Sequence, residues 1–209
     1  MLESKSASTL GMVGQNLSKH DGDHFHDVTL YRRTVGALQY LTLTRLDISF
    51  VVNKVCQFMS SPSNTHWFAV KRILCYLKGA TSYGLSTQPS SSLNIQAYTD
   101  VDWTSYPDDK RSTNGYCIFS RPNLVSWSFT KQKVVSRSSA ESEYHGIAIV
   151  ASEITWIQSL LNELCLSPSA PLLMRCDNQS AAHFATNPTF HAWTKHIELD
   201  LHFFHDKVL

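Results

Sequence analysis

The chain has 209 residues, 43% of them hydrophobic and 17% charged, with 18 basic against 17 acidic side chains and a formal net charge of +1. That length suits one good domain or two small ones, and so even a balance excludes a global basic field, leaving nucleic-acid contact to local patches. The five cysteines, Cys56, Cys75, Cys117, Cys165 and Cys176, are scattered and never in CxxC spacing, which argues against a disulfide framework and a thiolate zinc site and for a reducing compartment.

No apolar run approaches the roughly 18–20 residues of a membrane span. The first 18 residues are Ser-rich without a compact apolar core, so they are not read as a signal peptide. The expected setting is therefore intracellular, cytoplasm or nucleus, with no membrane partner. Residues 1–28 read as an irregular segment. Asp21-Gly22-Asp23-His24 is turn-like but lacks the spaced ligands and closing Glu of a calcium loop.

Residues 29–80 read as a small helical segment. Tyr31, Val35, Leu38, Tyr40 and Leu41 form a partly amphipathic stripe. Thr44 or Asp47 is placed to cap a second helix carrying Ile48, Val51, Val52, Val55, Phe58 and Met59. After the break Ser60-Ser61-Pro62-Ser63, a third helix carries Trp67, Phe68, Val70, Ile73, Leu74 and Leu77 on its apolar side and stops at Gly79. Fifty residues of helix are marginal alone, so this segment is expected to need a neighbour. A polar linker over 81–93, with Ser90-Ser91-Ser92, sets the domain boundary.

From residue 94 the pattern changes to period two. Ile95, Ala97 and Thr99 alternate with polar residues into Asp100, and strands follow over 114–120 and 123–129, turned by Pro122-Asn123. A long helix opens at Ser138 or Ser139 and keeps apolar spacing from Tyr144 through Leu164. A fourth strand over 172–176 runs into Asp177, and helices are expected after Asn178 and over 194–207. The order is strand, strand, strand, helix, strand, helix, helix.

If the first and fourth strands lie adjacent and parallel, Asp100 and Asp177 project from neighbours, and Glu143, in the first turn of the long helix, can cross over the same spot. Clustered carboxylates raise one another's pKa, a cost that a divalent cation removes. Oxygen ligands without His or Cys suit Mg2+ or Mn2+. Each acid also has an ordinary role open to it. A lone strand Asp is more often a solvated edge residue than a ligand. Glu143, or equally Glu141, would favour a helix N-terminus, and Asp177 would cap the next helix.

Further residues carry a resemblance. Tyr98-Thr99-Asp100-Val101-Asp102-Trp103, Arg111-Ser112-Thr113-Asn114-Gly115-Tyr116, Ser136 to Tyr144, Cys176-Asp177-Asn178-Gln179-Ser180-Ala181 and Lys195-His196-Ile197-Glu198 resemble the ribonuclease H domain of copia-type LTR retrotransposon polyproteins, in plant-like form. Tyr31 to Leu41 and Thr65-His66-Trp67 to Gly79 resemble the segment joining reverse transcriptase to that domain.

The resemblance implies an α/β, ribonuclease-H-like mixed sheet with flanking helices over 94–209. It implies endonucleolytic hydrolysis of RNA in RNA–DNA hybrids with two Mg2+ or Mn2+ ions, and reverse transcriptase and other polyprotein parts as partners. Asp100, Glu143 and Asp177 match three of the family's four catalytic, metal-binding acids. The fourth belongs to an Ala-Asp pair after a further strand. The chain stops at Val208-Leu209 before that point, so the domain is expected to be incomplete at its C-terminus, and Glu198 and Asp200 lie too early to be given the fourth position. The rival reading is a catalytically inactive remnant that at most binds hybrid.

Departures from the family include Leu46 for Pro, Val101 and Thr104-Ser105 around Asp102, and His145-Gly146 for Arg-Ala; a Gly there costs the helix about 1 kcal/mol. Lys131, Lys133 and Arg137 beside Trp127 form a basic, aromatic-flanked patch and, with Asn178 and Gln179, are the candidate nucleic-acid contacts. His191, His196, His202 and His205 lack neighbouring cysteines or an HExxH pattern and are read as surface histidines. Trp103 and Trp156 are read as core or packing residues rather than base-stacking platforms.

Overall fold

The computed structural model describes residues 5–10, 17–166, 168 and 170–178. They fall into two compact units, one drawn from residues 1–85 with 106–109, the other from 86–105 with 110–209.

The first unit holds α1 (Val28–Leu41), α2 (Leu46–Cys56) and α3 (Asn64–Gly79). Tyr31, Val35 and Leu38 recur every three or four residues and bury one face of α1 against Ile48, Val52 and Val55 of α2 and Val70 and Ile73 of α3. Phe25 joins this core and stacks on Trp67, so the segment before α1 packs although its described residues have no regular structure beyond an isolated bridge from His24 to Ser63.

The helix starts differ from expectation at α2. Its N-cap is Arg45, without a side-chain cap bond, and neither Thr44 nor Asp47 caps it. Asp47 instead sits in the first turn and receives Arg45 Nε and Nη2 at 2.9 and 2.7 Å. A favourable acid at the helix start is thereby tied to the buried guanidinium, whose Nη1 donates to the Ala80 carbonyl beyond α3. The α3 start is a capping box: Ser63 Oγ accepts from His66 N, and His66 Nδ1 accepts from Ser63 N.

The second unit is mixed α/β: β1 (Ile95–Asp102), β2 (Thr113–Ser120), β3 (Asn123–Lys131), α4 (Ser139–Glu163) and β4 (Leu173–Arg175). The sheet order is β3-β2-β1-β4, antiparallel between the first three strands and parallel between β1 and β4. The condition set on the first and fourth strands is met. The first three strands run one or two residues past their expected limits, because pairing continues to Asp102↔Thr113 and Thr113↔Lys131.

Ile95, Ala97, Thr99 and Val101 are buried while Tyr98, Asp100 and Asp102 are exposed, so the alternation in β1 is read out as burial. Ile95 and Ala97 pack with Tyr116 and Ile118 of β2 and with Val150, Ile154 and Ile157 of α4. Gly146 explains how closely α4 sits. A Cβ there would lie 2.6 Å from Asn114 Oδ1 and 2.8 Å from Val101 Cγ2, so the helix gives up propensity for close approach to β1 and β2. On the other face of β2, a Cβ on Gly115 would meet the Phe129 ring at 2.8 Å, so that ring lies across the strand.

The helices expected after Asn178 and over 194–207 lie outside the described residues.

Candidate metal centre

The parallel pairing of β1 with β4, in register from Gln96↔Leu173 to Tyr98↔Arg175, sends both strands toward the same end of the sheet. Asp100 continues β1 and Asp177 follows β4 by two residues. α4 begins over that end. One carboxylate oxygen from each of Asp100, Glu143 and Asp177 lies within 4.8 Å of the others.

Glu143 is the fifth residue of α4, so it stands in the second turn and not, as expected, the first. The helix-start role falls to Glu141. Its N–H donates to the N-cap Ser138 Oγ, and its Oε2 accepts from Arg137 N at 2.8 Å. Two acids separated by one residue thus have distinct tasks, fixed by where the N-cap falls.

Glu143 is 5% exposed. Its Oε1 accepts from Val101 N at 3.2 Å, tying the helix to the strand one residue beyond Asp100. Its Oε2 is buried without a hydrogen-bond partner among the described residues. Burial pushes the Glu143 carboxyl up to about 7; the Val101 N–H opposes the shift, and the charges of Asp177 and Asp100 add to it. A buried carboxylate oxygen without a donor among the described residues, in a side chain clustered with two exposed carboxylates, is a group that a divalent cation would satisfy. The donor set is all oxygen, which fits a hard divalent ion such as Mg2+ or Mn2+.

A buried frame supports this corner. Gln132 donates from Nε2 to the Ser142 carbonyl at 2.9 Å, next to Glu143, and its backbone N–H donates to Ser112 O. Ser136 Oγ donates to Gln132 Oε1. The sequence pattern singles out neither Gln132 nor a supporting role for Ser136, which enters only as the start of the stretch Ser136 to Tyr144. An uncharged residue between Lys131 and Lys133 was the available signal, and its burial comes from tertiary packing alone.

Lys131 ends β3, and Lys133 and Arg137 are exposed in the loop leading to α4. Lys131 and Lys133 line a cavity of about 580 Å³ beside α4, with His145 and Ile149. Asn178 is half-buried after Asp177. Gln179, the four C-terminal histidines, Glu198 and Asp200 lie outside the described residues. The expectation that Trp103 and Trp156 pack inside does not hold: they are 43% and 60% exposed. Each ring follows the face on which its backbone leaves it. Trp103 comes after the last core-facing residue of β1, Val101, and Trp156 falls outside the Ile147–Ile154–Ile157 stripe of α4.

No family model and no solved structure matches the chain. Over 208 residues, all of this chain, it is 43% identical to the retrovirus-related Pol polyproteins from transposons RE2 and RE1 of Arabidopsis thaliana. Over 179 residues, 85% of the chain, it is 35% identical to the corresponding polyprotein from transposon TNT 1-94 of Nicotiana tabacum. The chain spans 13–14% of the length of these relatives.

Fold and site together define a mixed α/β protein with a three-carboxylate cluster of the kind that holds a hard cation. The chain belongs to the copia-type, retrovirus-related Pol polyproteins of plant transposons.

Proposed function

We propose that residues 94–209 form a ribonuclease-H-like domain that hydrolyses the RNA strand of RNA–DNA hybrids, as one part of a retrotransposon polyprotein. The observation that carries this is the convergence of Asp100, Glu143 and Asp177 within 4.8 Å, with one buried Glu143 oxygen unpartnered among the described residues. Two bound divalent ions, Mg2+ or Mn2+, would activate water and neutralise the leaving oxygen of an in-line displacement.

The chain's own residues supply the holding and the charge. Asp100 and Asp177 offer exposed carboxylates from two neighbouring strands. Glu143 offers Oε2 while Val101 N–H fixes Oε1, so the side chain is oriented before any ligand arrives. Because burial holds the Glu143 carboxyl near 7, it must release its proton to serve as a ligand. Lys131, Lys133 and Arg137 would meet the sugar–phosphate backbone, which reads hybrid by shape and not by base sequence. Reverse transcriptase and the other polyprotein parts are the expected partners.

The test is cleavage of a labelled RNA–DNA hybrid by the purified chain with Mg2+, beside Asp100→Asn. RNA-strand cleavage that the substitution abolishes supports the enzyme. Cleavage unchanged by it sinks the assignment, and hybrid binding with no cleavage establishes the non-catalytic remnant instead.

A further inference from the structure

Trp103 is exposed yet held. Its indole is 43% open to solvent, while its Nε1–H donates to the Ser136 carbonyl at 3.2 Å. Ser136 is itself 3% exposed, and its hydroxyl donates to the buried Gln132, which is bonded in turn to the Ser142 carbonyl. An exposed indole is thus anchored to the frame that supports Glu143.

The backbone after it is strained. Thr104, β-branched, takes φ +52°, a region where such residues are outliers. It is kept there by its N–H bond to the buried Ser112 Oγ at 3.2 Å, and the Ser105 and Thr113 hydroxyls bond at 2.7 Å. The fold therefore bears a local conformational cost while leaving a large apolar ring unburied. Ordinary core packing gives no reason for that arrangement.

The surroundings state what the ring would meet. Trp103 lies three residues past Asp100, at most about 10 Å of chain, which is the rise of about three stacked bases in one strand. The loop that accepts its hydrogen bond presents Lys133 and Arg137 to solvent on either side of the exposed Val134 and Val135. A fixed aromatic face, two exposed cations on the loop that holds it and an acid cluster three residues away match a nucleotide chain: ring for base or sugar, cation for phosphate.

We propose that Trp103 is a stacking platform for a nucleoside of the bound hybrid, beside the position addressed by Asp100, Glu143 and Asp177. The inference rests on the hybrid-cleaving reading above and adds a binding residue to it. The indole N–H is spent on Ser136, so the ring offers only its face, and contact is tolerant of base identity.

The test measures binding of a fluorescent 12-base-pair RNA–DNA hybrid to the full chain carrying Asp100→Asn, so that nothing is cleaved. Trp103→Leu is expected to weaken binding about 5- to 100-fold, the loss of one stacked base. Trp103→Phe, which keeps an aromatic face but not the N–H, is expected to stay within about 3-fold of the parent. Mn2+ binding to the chain with Asp100 intact should be the same with Trp103 or Leu at this position.

Equal hybrid binding by Trp103→Leu and its parent overturns the proposal and leaves the cleavage reading standing. A Trp103→Phe loss as large as that of Leu, or a matching fall in Mn2+ affinity, shows that the anchor and not the ring matters, and also overturns it. No hybrid binding by the parent overturns this proposal and the hybrid reading together.

Discussion

Each unit of the molecule buries ionisable side chains, and two of them, His66 and Glu143, are treated oppositely. In the helical unit, His66 is fully buried and both ring nitrogens are used: Nδ1 accepts from Ser63 N, Nε2 meets the Ser18 carbonyl at 3.0 Å, and the ring stacks on Phe58. In the sheet unit, Glu143 is nearly as buried, but only Oε1 has a partner among the described residues. A satisfied buried polar group fixes a structure; a half-satisfied one costs about 1–3 kcal/mol, more if charged, and persists where a ligand completes it. What sets Glu143 apart is that its unpartnered oxygen belongs to a side chain clustered with two further carboxylates.

The hardest blow to the site side of this contrast is Glu143→Gln. It keeps an acceptor for Val101 N–H and removes the charge that a cation requires. Mg2+-dependent hybrid cleavage should fall by about 10²–10³ or more, the scale of losing one preorganised charge interaction. Thermal scans without metal should show the sheet unit no less stable, since repulsion from Asp100 and Asp177 is relieved. Lost stability with retained cleavage would reverse the two roles.

The scaffold side is broken by His66→Ala. It removes a capping box, worth about 1 kcal/mol, and a packed ring against Phe58. A loss of about 3 kcal/mol is expected in the helical unit's urea transition, with Mn2+ binding unaffected.

Smaller and more discriminating is pH. Burial lowers the His66 pKa below its ordinary 6.5, against the opposing Ser18 carbonyl, Asp21 and Asp108. The folded state then binds fewer protons than the unfolded one, so His66 contributes stability above 6.5 that is lost as pH falls through and below that value. Glu143 is raised from 4.5 to about 7, so the folded state binds more protons, and the contribution present below 4.5 is lost as pH rises toward 7. Between pH 7 and 5, acidification should therefore destabilise the helical unit and stabilise the metal-free sheet unit, the second by on the order of 1–2 kcal/mol. Saturating Mg2+ should reverse the second trend, and urea melts followed separately for the two units would show it.

Smallest is Gly146→Ala. The gain of about 1 kcal/mol in helix propensity meets a methyl 2.6 Å from Asn114 Oδ1 and 2.8 Å from Val101 Cγ2. A net loss of about 1 kcal/mol is expected, recovered in the double variant with Asn114→Ser. A single substitution that stabilises the chain would show that the close approach of α4 is not needed.

What was legible in the sequence was what is written locally. The 3.6-residue stripe of α1, the alternation of β1 and the Ser138 helix start all have their signal within a few residues of where they act. The parallel pairing of β1 and β4 was legible only as a condition, since no local pattern states which strands are neighbours. Arg45 as the α2 N-cap was missed because its partner carbonyl, Ala80, lies 35 residues away. Glu141 and Glu143 were ranked by family pattern, yet their separation into cap and ligand depends on the exact N-cap and on the Val101 N–H, a bond across 42 residues. Trp103 was misjudged because aromatic residues are usually read as core, and nothing local announces that Ser136 will hold its indole at the surface.

The strict alternation along β1 has a consequence for how this sequence can change. Core and site occupy opposite faces of the same eight residues, so they share one reading frame of orientation. A one-residue insertion or deletion between Ile95 and Asp100 would turn the carboxylate inward and Ala97 and Thr99 outward at a stroke, losing stability and metal binding together. The same event in the polar stretch just before the strand changes neither face. Length variation is therefore cheap up to Ser92 and intolerable a few residues later, although no side chain marks the border.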